Sequence, residues 1–354
     1  MAVTACLGYA IGRIEHPATM ADPLWLRGYL NRPLDSSLPG ASFWVTAYYV
    51  PDDARGLEAL AMRAPHLDQI FPQSYGFQAD GTVAGVDPTE VFGATSGKKV
   101  ILTFTNITDY KFSAATARAI LTSPDVRQRA LAGIVAKVRS LGAAGAQLDF
   151  EDVAGELRPQ LTAFVKDLAA QLKPLGASVS LAVPAKIRDD PKSDWTGAFD
   201  YAALAQVADY LMIMTYDEHY RGGDPGPVAS LPWTEQVLRY AISVAPTGKI
   251  LLGVPAYGYD WAGAKLGTSY GIKDLDKRLS DLQAKVTYDK KMGEQVAAYT
   301  AGDVQHVVWF PDQQSLQAKL ALANKYNLKG VALWRLGFEP DGYWDIFAGA
   351  NGGA

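Results

Sequence analysis

Three observations along the sequence predict an α/β fold, a (β/α)8 TIM barrel with a small α+β insertion after strand 7. Eight short apolar, β-rich runs recur, at residues 43–50, 67–75, 99–106, 146–151, 177–184, 208–216, 249–257 and 329–335. Helical patterns separate most of them, at 124–141, 157–172, 201–207, 234–244 and 315–326, and strand–helix alternation argues a parallel sheet with crossover helices. Most runs start about 25 to 45 residues after the one before, but the eighth starts 80 residues after the seventh. Eight repeats favour closure; an open doubly wound sheet is the alternative.

The elements follow in order. Residues 1–40 hold Pro17, Pro23, Pro33 and Pro39 and no barrel element, so they are expected to form an irregular lead-in to a barrel domain over 41–350. Val3-Thr4-Ala5-Cys6 looks like the tail of a bacterial lipoprotein signal but lacks a basic start and a useful apolar region, which makes a chance match the expectation. Tyr48, Tyr75 and Asn106 close the first three runs and are candidates for the rim of a binding cleft, because the C-terminal strand ends of a barrel converge there. After the fourth run, Leu161, Phe164, Val165, Leu168 and Leu172 recur at helical spacing, and Gly176 is a stop signal. In the sixth run, Met212, Met214 and Tyr216 share a face by strand parity. The insertion, 260–310, contains a helical pattern at 274–284 and strand-like runs at 286–288, 295–300 and 307–310. Its place beside the barrel mouth would let it wall a cleft.

Composition excludes several classes. At 354 residues, 49% hydrophobic and 20% charged, the chain is a compact globular protein rather than a disordered one. A net charge of -4 and scattered basic residues give no footprint for nucleic acid. One cysteine and four dispersed histidines offer no disulfide and no metal-ligand spacing, so neither a metal nor a cofactor is expected. Phosphate-loop and serine-elbow motifs are missing, and no apolar run is long enough to span a membrane. Eight Trp and eighteen Tyr suit either sugar stacking or a large core.

The chemistry concentrates in Gly145-Ala146-Gln147-Leu148-Asp149-Phe150-Glu151. Alternation puts Gln147, Asp149 and Glu151 on one face and Ala146, Leu148 and Phe150 on the other. If the apolar face meets a helix, the polar face points into the barrel, where carboxylates are costly unless bonded, protonated or wet. An edge strand with one solvated face explains the same alternation without chemistry.

Set beside three other segments, this strand carries a resemblance. Ala144–Glu151 parallels the motif D-G-x-x-x-D-x-E, Met214-Thr215-Tyr216-Asp217 parallels M-x-Y-D, and Gly330–Gly337 and Leu252–Trp261 parallel two closing strands. Together they resemble glycoside hydrolase family 18, especially its bacterial cortex-lytic and peptidoglycan N-acetylglucosaminidase branch, over about residues 43–347. The resemblance implies Glu151 as general acid/base, Asp149 as the residue that orients the substrate acetamide, Tyr216 as the donor to the acetamide oxygen, and Trp334 as the floor under the reactive sugar. Asp217, Gln147, Met214, Tyr48, Tyr75 and Asn106 complete the expected substrate-binding set; Asp217 could equally cap the following loop. Ala144 and Gln147 depart from the motif. An amide at 147 cannot hold a proton for Asp149, so the coupling within the site must differ.

Asp149 and Glu151 stand two residues apart on one strand, with Cα atoms about 6.6 Å apart. Ordinary retaining pairs face each other across the bond, whereas a pair on one side suits substrate-assisted retention, in which the sugar's 2-acetamido oxygen attacks the anomeric carbon. The expected activity is hydrolysis of β-1,4 bonds after N-acetylglucosamine in peptidoglycan, by a monomer acting in the cell envelope or outside the cell. A chitinase, or a catalytically weak lectin-like barrel, is the alternative, and a scaffold or inhibitor with no saccharide affinity is a third class.

Overall fold

A computed structural model describes residues 43–350, apart from 52, 96, 109, 110 and 264. The expected lead-in, with Cys6, lies outside the described residues. Among the described residues six strands come first: β1 (Trp44–Tyr49), β2 (Gln69–Phe77), a short return strand β3 (Val83–Gly85), β4 (Lys99–Thr105) and the paired short strands β5 (Ile107–Thr108) and β6 (Lys111–Phe112). Then come β7 (Gly145–Asp149), β8 (Ser178–Pro184), β9 (Tyr210–Met214) and β10 (Ile250–Pro255). The strands β11 (Tyr257–Ala262), β12 (Thr268–Gly271), β13 (Lys285–Asp289), β14 (Glu294–Ala301) and β15 (Val304–Phe310) precede the last, β16 (Gly330–Trp334).

Eight of these strands pair in parallel, in the order β1, β16, β10, β9, β8, β7, β4, β2, and β2 pairs back onto β1. The sheet is therefore a closed barrel, and the open-sheet alternative falls. β7 pairs with β4 on one side and β8 on the other and all five of its residues are buried, which removes the edge-strand alternative too. Register places Thr103 beside Gln147 and Thr105 beside Asp149. Alternation then sends this polar set inward and Phe104, Leu148 and Phe150 outward.

The outward set makes the second core layer. Phe104, Phe77, Phe150 and Phe164 form a chain of rings with centroids 5.8 to 6.2 Å apart, joining the barrel to the helix Arg158–Leu172, whose Leu161, Phe164, Val165, Leu168 and Leu172 are all buried as their spacing predicts. The helix before β7, Pro124–Leu141, begins with proline in its first turn and ends at Gly142, whose φ of 61° and N–H bonds to Val138 and Arg139 carbonyls close the last turn. Its buried stripe is Ala130, Leu131, Ile134 and Val138. Among the described residues no helix is long and apolar enough to cross a membrane.

The insertion is a five-stranded antiparallel sheet, β12-β11-β15-β14-β13, with the helix Ile272–Asp281. It begins earlier than its sequence suggested. β10 stops at Pro255, and the aromatic run that continues it, Tyr257–Ala262, leaves the barrel as β11. An uninterrupted β-rich run shows no break where a chain passes from one sheet to another, and β12 is four residues long; both escaped the sequence reading. The sixth strand likewise ends at Met214 rather than Tyr216, because Thr215 turns to donate its N–H to Ile213.

Gly145 shows how closely β7 sits against β8. A Cβ there would lie 2.4 Å from both the carbonyl oxygen and the hydroxyl of Ser178, a backbone approach that only glycine permits. Gly145→Ala is expected to destabilise the barrel by about 1–3 kcal/mol through overpacking, read as a lower urea midpoint with an unchanged m-value.

Candidate active site

The C-terminal mouth of the barrel holds a cleft of about 1130 Å³, whose lining includes Asp149, Glu151, Tyr216, Asp217, Met214 and Trp334. Asp149 is buried at the last position of β7. Its Oδ2 accepts a hydrogen bond from Gln73 Nε2 at 3.1 Å, while its Oδ1 is buried with no partner. Glu151 lies two residues on, past the strand, and its backbone is clamped on both sides by Asn106. Asn106 Nδ2 donates to the Glu151 carbonyl at 2.7 Å, and the Glu151 N–H donates to Asn106 Oδ1 at 2.9 Å. A fully buried amide thus continues the β4–β7 ladder by one side-chain step.

The facing wall comes from the loop after β9 and from the insertion. Asp217 has a φ of 60°, and its Oδ1 accepts from Tyr257 at 2.5 Å and Tyr259 at 2.8 Å, both on β11. Tyr216 packs edge-on against Tyr257, with centroids 6.2 Å apart. Gly253 makes room for it: a Cβ there would lie 3.0 Å from the Tyr216 ring and 2.5 Å from the Ile213 carbonyl. Trp334, at the end of β16, is 5.0 Å from the ring of Tyr48, and its indole N–H is buried without a partner.

Burial raises the pKa of each of these groups, and neighbouring carboxylates raise Glu151 and Tyr216 further. Removal from water pushes the Glu151 carboxyl well above its ordinary range, and the charges of Asp149, Asp217 and Asp152 push it further. Burial raises Asp149 as well, with the Gln73 bond opposing it. Asp217 is raised by burial, against the two tyrosine hydroxyls that hold its charged form. Tyr216 is raised by burial and by Asp149, Asp217 and Glu151 in turn, which keeps its hydroxyl a donor. A proton held on Glu151 beside an unsatisfied carboxylate oxygen is an arrangement able to deliver a proton and to receive an N–H. Among the described residues no three His, Cys, Asp or Glu side chains form a metal-binding group.

The structure refines four expected contacts. Tyr75 was expected at the rim and does line the cleft, but a register shift between Gln73 and Tyr75 reverses its parity, so its ring stacks on Phe104 and its hydroxyl goes to Asp87, which also pairs with Lys137. Asn106 is not a rim residue but the Glu151 clamp. Gln147 is fully buried beneath the cleft, where its Oε1 accepts from the Tyr48 hydroxyl at 2.6 Å. Tyr48 therefore offers substrate a ring face in the floor, its hydroxyl already committed. Gln73 was missed, although the alternation of Gln69, Phe71 and Gln73 in a buried strand points all three inward; Arg221, Trp195 and Trp233 also line the cleft from loops and a helix that carry no parity signal.

The fold and this carboxylate-centred cleft define a barrel glycosidase. Residues 90–339 match the family described as Glycosyl hydrolases family 18, and the chain belongs to it. Its relatives include a Bacillus subtilis protein named uncharacterized glycosylase YvbX, 28% identical over 85% of this chain and 89% of the relative. The cortical fragment-lytic enzyme of Bacillus subtilis is 28% identical over 81% of this chain and 68% of its own length. Among solved structures, a chitinase from Chromobacterium violaceum superposes with a TM-score of 0.82 at 31% identity, over 88% of this chain and 99% of that one.

Gln73 supplies the bond that lowers Asp149 toward its charged form. Gln73→Leu is expected to move the Asp149 titration to higher pH, followed by carboxyl-carbon NMR. An unmoved midpoint would show that the bond does not govern its ionisation.

Proposed function

We propose that this protein hydrolyses the β-1,4 bond following an N-acetylglucosamine unit, with retention through the substrate's own acetamide, and that its substrate is the glycan of peptidoglycan. The observation that carries the reading is the partnerless Asp149 Oδ1. A buried carboxylate oxygen calls for a donor, and an acetamide N–H presented over Trp334 supplies one. With Asp149 holding the N–H and the Tyr216 hydroxyl steering the carbonyl oxygen, that oxygen is aimed at the anomeric carbon from within the sugar. Glu151 gives its proton to the leaving glycosidic oxygen, then takes one from the water that opens the cyclic intermediate. Asp149 balances the positive charge of that intermediate. Asp149 and Glu151 leave the same strand end, on one side of the sugar, which disfavours an enzyme carboxylate as nucleophile.

Peptidoglycan is favoured by the relatives named cortical fragment-lytic enzymes, and it places the site of action in the cell envelope. A second reading, hydrolysis of chitin or its oligomers, rests on the similarity to the Chromobacterium violaceum chitinase. Mass analysis of fragments from purified peptidoglycan and from chitin oligomers separates the two readings; no cleavage of either would reject both.

Glu151→Gln keeps the shape and deletes the proton, so kcat should fall by about two to three orders of magnitude; near-normal turnover would remove Glu151 from the chemistry. Asp149→Asn removes the charge that helps raise Glu151. Glu151 then loses its proton at lower pH, so the alkaline limb of the pH–rate profile should shift downward while kcat also falls. Because the nucleophile belongs to the sugar, an aryl β-glucoside should not be cleaved where the matching N-acetylglucosaminide is, and a thiazoline mimic of the cyclised intermediate should inhibit competitively. Efficient turnover of the glucoside would sink the substrate-assisted route.

A further inference from the structure

Six charged side chains line the cleft: Glu90, Asp149, Glu151, Asp217, Arg221 and Arg335. Arg335 is paired with Asp53 at 2.8 Å, Glu90 accepts from Tyr49, and Asp217 takes two tyrosine hydroxyls. Arg221 differs from the other cation. Its guanidinium makes no hydrogen bond or ion pair among the described residues, and its Nε is buried with no partner. The side chain stands near enough to Tyr259 to favour that residue's charged form, and Tyr259 in turn holds Asp217. The Arg221 backbone is tied to the insertion, since its carbonyl accepts from the Gly267 N–H at 2.6 Å, next to Thr268 and Ser269 on the cleft wall. Arg221 is half-buried and its Nε lacks the partner that a buried donor calls for, and a planar carboxylate is the group that supplies one, by a charge-assisted, two-pronged bond.

A neutral N-acetylglucosamine polymer carries no such group. The glycan of peptidoglycan does: both neighbours of each N-acetylglucosamine are muramic residues, whose 3-O-lactyl ether ends in a carboxylate, free or extended by a stem peptide that bears further carboxylates. Resting on the substrate reading above, we infer that Arg221 receives a carboxylate carried on the 3-O-substituent of the muramic unit flanking the reactive N-acetylglucosamine. It thereby sets the preference for peptidoglycan glycan over chitin.

The test compares wild-type protein, Arg221→Gln and Arg221→Lys on four tetrasaccharides. One has free lactyl groups, one has them amidated, one carries stem peptides, and one is chitotetraose. Wild type should favour the free-lactyl over the amidated substrate, and Arg221→Gln should shrink that ratio of kcat/KM by about tenfold, mostly through KM. Arg221→Lys should restore part of the ratio, and added salt should erode it in wild type. Loss confined to the peptide-bearing substrate would assign the anion to the stem peptide, loss on the free-lactyl substrate to the lactyl group. Losses in Arg221→Gln that are no larger on the free-lactyl and peptide-bearing substrates than on the amidated substrate and chitotetraose overturn the inference while leaving the peptidoglycan reading intact. Wild type that cleaves chitotetraose and none of the muramic substrates rejects that reading, and the inference with it.

Discussion

Holding carboxyl groups at the end of β7, where the interior of a closed barrel meets the cleft, is the constraint on which this structure depends. Left alone, such groups would protonate or pull water into the core. The barrel answers with amides and hydroxyls on the same inner face. Gln73 donates to one oxygen of Asp149, Tyr48 donates to the amide oxygen of Gln147, and Tyr210 gives its hydroxyl to Gln69 one layer further down. One Asp149 oxygen is left over at the cleft, and Gln73 Oε1, Thr103 Oγ1, Gln147 Nε2 and Ser180 Oγ are also buried without a protein partner.

Position matters as much as ionisation. Glu151 is beyond the last ladder bond of β7, where a backbone would ordinarily be free to move, and Asn106 replaces the missing bonds with two of its own. The facing acid, Asp217, is held by tyrosines from another sheet. The insertion is therefore part of the cleft, fixing the charge that sits across from Glu151.

That wall is itself anchored by burial of charge. Glu294 of β14, fully buried, accepts the N–H groups of Val228 and Ala229 and pairs with Lys319 at 3.3 Å. Glu218 accepts from the N–H and hydroxyl of Ser230. Together they tie the loop after β9, which carries Asp217 and Arg221, to both the insertion and the outer helices. Removing one partner of such a network strands the other, which explains why a loop so rich in glycine stays in place.

The sequence by itself determined the barrel, its eight strands, the late insertion and the Asp149-x-Glu151 pair, because strand and helix periods are local and each was long enough to read. Alternation also placed Gln147 and Asp149 on the inner face correctly. Tertiary structure decided the rest. A one-residue register shift in β2 turned Tyr75 outward and left Gln73 as the partner of Asp149, and no local pattern marks such a shift, since it arises from pairing with β4. The division of one aromatic run into β10 and β11 was settled by which sheet offered hydrogen bonds. Asn106 and Arg221 drew their places from contacts 45 residues away and from a loop held by the insertion. Period tells which face a side chain shares with its neighbours, and only packing tells what stands opposite that face.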